Sequence, residues 1–550
     1  MHEQGLPEPD ARRRWLAMPF IALGVAMIIV DATIVNVAIP TIIRDLHTTA
    51  SSAEWWNSIY SLVFASLLIT LGRVGDMVGR RRLFAIGTVW FIAASLVAAT
   101  AGSASMLTFG RFLQGIGGAM ILPATLSTVN AMFRGKDRAI AFAIWGSTIG
   151  GMAAIGPFLG GLLTTDASWR WVFLINVPLG VAIIIGLLTL VPETSDPDVE
   201  RGFDLPGQLT LILGLALFVF GLIEGESYGW WKASKELPVL GWPKGGISPV
   251  PVAFAVSIIA LVAFVLIEKA RARRGRVVVV NLRLFSIGSF SRGNIAALIV
   301  ALGEFGILFV LPLYIQGALG LSALQTGASL IPLAVGTLFS GGMTPLLAPR
   351  IGPRGVVQVG LVLEALGIGA VGVSVGADTS IWLIIPFLFV YGVGVGFATA
   401  QLTGVILTEV PVEASGQGSG IQSTARQVGS ALGIAILGTI LISTLGTGVS
   451  SRLEQQVPSL PAPQREAIST AVRESGGSAI VELRARPGSE AVVHAASQAL
   501  AASASIVAYT AAGFVLVGLL VTPGLPNPRG DDEQPEDAAE PGGELEPAAV

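Results

Sequence analysis

The chain has no cysteine among its 550 residues. Disulfides, thiolate metal sites and a cysteine nucleophile are therefore excluded. Histidine is scarce: His2, His47 and His494 are the full set, and none falls in an apolar run. No His-Glu-x-x-His pair, phosphate-binding glycine loop or serine elbow is present. These absences speak against ATP-driven pumping and a membrane-bound enzyme, and imply no cofactor or metal. Charge is also sparse, at 13% of residues with a net charge of −3. That balance offers no basic footprint for nucleic acid.

Apolar residues dominate instead, at 52% of the chain and a mean hydropathy of +0.73. The bilayer is the solvent for most of such a chain. Fourteen apolar runs stand at 16–38, 53–71, 83–101, 107–130, 139–161, 171–191, 206–224, 250–269, 291–314, 326–347, 356–375, 382–405, 421–445 and 503–522. In hydrocarbon a chain satisfies its backbone only as helices or a closed barrel. No run alternates with period two, so the expectation is an all-α integral membrane protein with 14 transmembrane helices. With the N-terminus inside, 21 of the 33 basic residues fall on cytoplasmic segments and 10 on external ones. The excess places both termini in the cytoplasm. Arg12–Arg14 precede the first run without a small-residue cleavage site, so the first helix reads as a retained anchor. Arg, Ala, Gly and Val usage points to a GC-rich bacterial genome, hence a multi-pass protein of the cell inner membrane.

The organisation reads as six, two, six. Residues 1–15 form a cytoplasmic lead and 16–191 a six-helix bundle. Residues 192–290 hold two inserted linker helices. Residues 291–522 form a second six-helix bundle, including a long external loop at 446–502 in which Gln464–Glu474 has amphipathic helical character. Residues 523–550, rich in Pro, Gly and acid, read as a disordered cytoplasmic tail.

One short stretch organises the rest: Gly72-Arg73-Val74-Gly75-Asp76-Met77-Val78-Gly79-Arg80-Arg81-Arg82. It joins the second and third runs as a tight hairpin, whose glycines Gly72, Gly75 and Gly79 allow the reversal. Its arginines fit a cytoplasmic turn, but a plain anchor needs no acid. Asp76 with Arg80 and Arg81 therefore reads as a gating latch between helix ends. A faded copy, Ala348-Pro349-Arg350-Ile351-Gly352-Pro353-Arg354, lacks the acid.

Charges inside the runs each ask for a reason, since one costs roughly 2.5–3.5 kcal/mol to insert. Asp31 is either a proton-loading group or a structural hydrogen-bond acceptor. Arg111 needs a partner if buried, and Asp31 is a candidate; otherwise it packs near headgroups. Glu304 and Glu364 are further acids, and Glu304 suits either a cationic substrate or a second proton. Arg426 reads as snorkelling from a cytoplasmic end. The fifth run holds Gly151, Gly156-Pro157, Gly160 and Gly161, a flattened face on which a neighbouring helix can slide. Tyr391-Gly392-Val393-Gly394-Val395-Gly396 follows no strand and reads as helix packing, not as a nucleotide loop.

Together these stretches resemble the fourteen-helix drug:proton antiporter branch of the major facilitator superfamily. Asp31-Ala32-Thr33-Ile34-Val35-Asn36-Val37-Ala38-Ile39-Pro40 resembles its first-helix motif, and Gly72–Arg82 the superfamily loop. Arg111 to Gly118 resembles the fourth-helix motif, and Gly156-Pro157-Phe158-Leu159-Gly160-Gly161 the antiporter motif, with Met152 where a glycine is usual. Trp169-Arg170-Trp171-Val172-Phe173-Leu174-Ile175-Asn176-Val177-Pro178 matches another stretch of this branch. The resemblance implies two six-helix bundles plus two inserted helices, working by alternating access. It also implies export of small hydrophobic, cationic compounds in exchange for protons, with Arg111 in the proton path and a functional monomer. A dedicated metabolite, lipid or siderophore exporter, a proton symporter and a sensor on a transporter fold are the other readings.

Overall fold

Capping residues and glycines divide the apolar sequence into helices. The structure, a computed structural model, describes residues 11–46, 50–194, 204–237, 242–411, 414–477 and 479–527. Most of the expected polar lead and acid-rich tail lies outside them. The helices are α1 (Ala11–Asp45), α2 (Ala50–Val78), α3 (Arg80–Ala99), α4 (Ala104–Met132), α5 (Gly135–Asp166), α6 (Trp171–Leu174), α7 (Asn176–Leu190) and α8 (Leu205–Tyr228). They continue with α9 (Pro249–Arg273), α10 (Gly288–Gly317), α11 (Ala323–Ser374), α12 (Ile381–Leu407), α13 (Ser415–Gln456), α14 (Ala462–Glu474), α15 (Ala479–Arg484) and α16 (Glu490–Val521). Among the described residues the only β pairing is two isolated bridges, Lys232 with Ile247 and Leu237 with Trp242.

Several starts carry side-chain caps, which satisfy the free N–H groups of a first turn. Ser103 accepts from the Met106 N–H, Asp204 from Gly207 and Ser248 from Val250. Ser322 and Gln325 form a reciprocal capping box at the head of α11. Eleven helices among the described residues are long and apolar enough to cross a membrane. One of them, α11, is 52 residues long and contains a single non-helical joint at Gly352, φ 76°. The faded hairpin is therefore a kink at one glycine, where two helices meet, flanked by Pro349 and Pro353. Proline lacks the N–H that an unbroken helix needs.

The packing places α5 centrally. It lies against α1 on one side and against α11 and α12 on the other. Arg138, at the start of α5, donates to the Leu407 carbonyl at the end of α12 at 2.8 Å. Helix α13 touches both α2 and α4, while α9 packs mainly on α8. Ile258, Ile259, Val262 and Leu266 of α9 point outward, as suits a lipid-facing surface. The 446–502 segment is largely helical: α13 runs on to Gln456, and α14, α15 and the head of α16 fill the rest.

Candidate functional site: two buried charge clusters

Asp31 of α1 is fully buried, as is Arg111 of α4. Asp31 Oδ2 meets Arg111 Nη1 at 2.6 Å. Asp31 Oδ1 accepts from Gln114 Nε2 at 2.8 Å and from Asn176 Nδ2 at 2.7 Å. Both amides also donate to Ser95 Oγ, at 2.9 and 3.1 Å. Arg111 Nε donates to the Trp56 carbonyl at 3.1 Å, and Nη1 reaches Gln114 Oε1 at 2.9 Å. Its guanidinium carbon stands 4.1 Å from the centre of the Tyr60 ring. Arg111 and Gln114 lie three residues apart on α4, so they share a face.

One carboxylate thus gathers side chains from α4 and α7, whose amides also hold Ser95 of α3, and its guanidinium partner reaches α2. Charge balances, and both carboxylate oxygens are bonded. Buried ion pairs persist under those conditions, because desolvation is offset only by good geometry and added hydrogen bonds. A neutral Asp31 would leave the Arg111 guanidinium without its counter-charge.

The second cluster pairs Glu304 of α10 with Arg426 of α13 at 3.3 Å. Arg426 Nη1 lies 3.5 Å from Thr399 Oγ1, and the Tyr391 hydroxyl donates to the Glu304 carbonyl at 3.1 Å. Arg426 is 7% exposed, which corrects the expectation that it snorkels. It faces inward because Glu304, 122 residues earlier, gives it a partner there. Glu364 of α11 lies fully buried beside this pair.

The hairpin is tighter than the sequence implies. Gly72, Gly75 and Asp76 still belong to α2, and the chain reverses at Gly79 alone, with φ 113°. The correction has a simple cause: two of the three glycines have helical partners and need no special angles. Asp76 Oδ1 and Arg80 Nη2, on either side of Gly79, pair at 3.0 Å in a buried contact. Glu193, just past α7, holds the joint from outside. Its Oε1 accepts the Arg81 N–H at 3.0 Å, and Arg81 Nη1 donates to the Val191 carbonyl at 3.2 Å.

On α5, a Cβ at Gly156 would collide with Thr33, and one at Gly160 with the Ile34 carbonyl. Both glycines therefore bring α5 against the helix that bears Asp31. Gly151 faces Thr337 and Leu338 of α11, and Pro157 and Gly161 are buried. The glycines of the 391–396 stretch lie inside α12 and admit Leu333, Glu364 and Ser340 of α11.

Sequence reasoning marked Asp31 as a candidate partner of Arg111, Arg80 as the partner of Asp76, and Glu304, but not the other residues that hold them. Gln114 and Asn176 lay within quoted motifs and received no role. Ser95, Tyr60, Trp56 and Glu193 carry no signal that a single sequence displays.

The Major Facilitator Superfamily model matches residues 21–434. The chain is 34% identical over 458 residues to the probable actinorhodin transporter of Streptomyces coelicolor, covering 81% of this chain and 75% of the relative. It is 32% identical over 429 residues to the multidrug efflux pump LfrA of Mycolicibacterium smegmatis, covering 78% and 81%. The human organic anion transporter MFSD10 has a similar fold at 13% identity, with a TM-score of 0.56 over 94% of this chain and 100% of that one. With its buried charges, apolar helices and these relatives, the chain belongs to the major facilitator superfamily: it is a multi-pass membrane transporter and not an enzyme.

Proposed function

We propose that the protein exports hydrophobic, cationic drugs or related compounds from the cell in exchange for protons, by alternating access. The observation that carries this reading is the Asp31–Arg111 pair, closed by Gln114 and Asn176. Protonating Asp31 would cancel one charge of a buried pair and loosen α1 from α3, α4 and α7. A proton arriving at this carboxylate thus has a mechanical consequence. Buried ionisable groups within membrane helices mark such relays. The efflux pump among the relatives supports outward transport.

The reading includes fourteen crossings in the inner membrane, with both termini cytoplasmic. Helix α11 counts twice across Gly352, α6 and α7 act as one span, and α5 and α8 complete the number. Two six-helix bundles then flank the linker pair α8 and α9. The Gly79 joint with Asp76, Arg80 and Arg81 acts as the cytoplasmic latch, and the glycine face of α5 as the sliding surface. Glu304 would share the proton coupling, and the monomer would suffice. The actinorhodin transporter among the relatives favours one second reading, export of a single antibiotic.

Inverted membrane vesicles holding a proton gradient test this. Ethidium should collapse the gradient in wild type and leave it standing in Asp31→Asn. No response to a panel of lipophilic cations would sink the multidrug reading, and full coupling in the variant would make Asp31 structural.

A further inference from the structure

The two charge clusters are not equivalent. Around Asp31 one carboxylate meets one guanidinium, and every carboxylate oxygen is bonded. In the second cluster two buried carboxylates, Glu304 and Glu364, lie within electrostatic reach of the Arg426 guanidinium. Glu304 takes its ion pair. Glu364 is fully buried, and neither of its oxygens has a hydrogen-bond partner among the described residues.

The surroundings are specific. Helix α12 presses on Glu364 at Gly394, where a Cβ would stand 2.7 Å from the Glu364 Cα. The ionisable groups acting on Glu364 are Glu304 from α10, Arg426 from α13 and Tyr391 from α12. Helix α16 brings Tyr509 only to Gly372, about two turns further along. Helix α5 meets the first part of α11, where it offers Ser147 and Phe158. Among the described residues Arg426 is the one cation that acts on Glu364. A buried, unpaired carboxylate is too costly to stay charged, so it neutralises or takes a cation.

We propose that Glu364 is an exchange site for one positive charge: it holds a proton in the conformation seen here and gives it up to the cationic group of a transported compound. This rests on the proton-coupled export reading and adds the residue at which proton and substrate replace each other. No covalent bond changes. The proton leaves the Glu364 carboxyl for water on the side to which the site opens, and the substrate's cation takes its place beside the carboxylate. The cluster then has the same total charge with either occupant.

The test uses the purified full-length chain in detergent, with ethidium as probe in weakly buffered solution containing a pH indicator. Binding should release about one proton per ethidium in wild type, and affinity should weaken about tenfold per pH unit on the acid side. Glu364→Gln, which mimics the protonated carboxyl, should fold normally, release no proton and bind with pH-independent affinity. Glu364→Asp should restore the release. Wild-type release from Glu364→Gln, no release from wild type, or a Glu364→Gln that fails to fold would each overturn the assignment. The vesicle experiment separates the two levels. If ethidium leaves the wild-type gradient intact, export by proton exchange fails. If it collapses the gradient equally in wild type and Glu364→Gln, only the role of Glu364 fails.

Discussion

Gly79 and Gly352 make the same joint. Each has positive φ, 113° and 76°, and each is backed by a side-chain oxygen from a segment beyond a long helix. At Gly79 the group is Glu193, past α7, and it accepts the Arg81 N–H at 3.0 Å. At Gly352 it is Asn527, past α16, and it accepts the Arg354 N–H at 3.2 Å. In both cases the bonded N–H lies two residues after the glycine. The copy that looked faded in sequence keeps the backbone geometry and replaces a carboxylate by an amide.

Alanine at either joint should therefore be costly. Gly79→Ala and Gly352→Ala are each expected to lower stability by about 1–3 kcal/mol, since a side chain there is strained and crowds the backing oxygen. Gly513→Ala in α16, where a Cβ meets nothing within 4 Å, should be neutral or stabilising. Thermal unfolding in detergent compares the three.

The latch should rank its own contacts. Asp76→Ala leaves the buried Arg80 guanidinium without its 3.0 Å partner and should cost about 3–5 kcal/mol. Glu193→Ala removes one hydrogen-bond acceptor and two partly exposed ion pairs, for about 1–2 kcal/mol. Equal losses in denaturant titrations would mean that the buried pair has no special weight.

For Asp31 and Arg111 a double-mutant cycle is the suitable measurement. Arg111→Ala strands a buried carboxylate and should cost about 3–5 kcal/mol. Adding Asp31→Asn to it should recover part of that loss, because the stranded charge is gone. Additive losses would show that the two side chains do not depend on each other.

The glycine face of α5 gives a steric prediction. Gly160→Ala pushes a methyl group into the Ile34 backbone carbonyl, which cannot swing aside. The expected cost is about 1–3 kcal/mol, with slowed ethidium transport. Gly342→Ala in α11, with open space at its Cβ, should leave both unchanged.

Much of the architecture was legible because runs of about twenty apolar residues, bounded by Gly, Ser and charge, have few alternatives in lipid. Local pattern failed where a single residue decides the geometry. At Gly352 the gap between two runs was legible, but not that it narrows to one non-helical residue at which two helices meet. Within 446–502 the amphipathic stretch Gln464–Glu474 is helix α14, while α15, which buries Ile480 and Leu483, was read as loop. At the charge clusters the residues were legible but their facing was not. Asp31 and Arg111 lie 80 residues apart, and nothing in either helix states which face meets the other. Arg426, placed early in its run, reads as an interfacial cation until Glu304 is seen opposite it.

The place of Glu364 outside the Glu304–Arg426 ion pair has an electrical consequence. If one proton and one monovalent cation occupy Glu364 in turn, the cluster crosses the membrane field with the same charge in both directions. Moving one net charge through 100 mV is worth about 2.3 kcal/mol, and this exchange moves none. Transport of a monovalent compound would then follow the pH difference and ignore the membrane voltage. A divalent compound at the same carboxylate would carry a net charge outward, against a membrane potential that is negative inside.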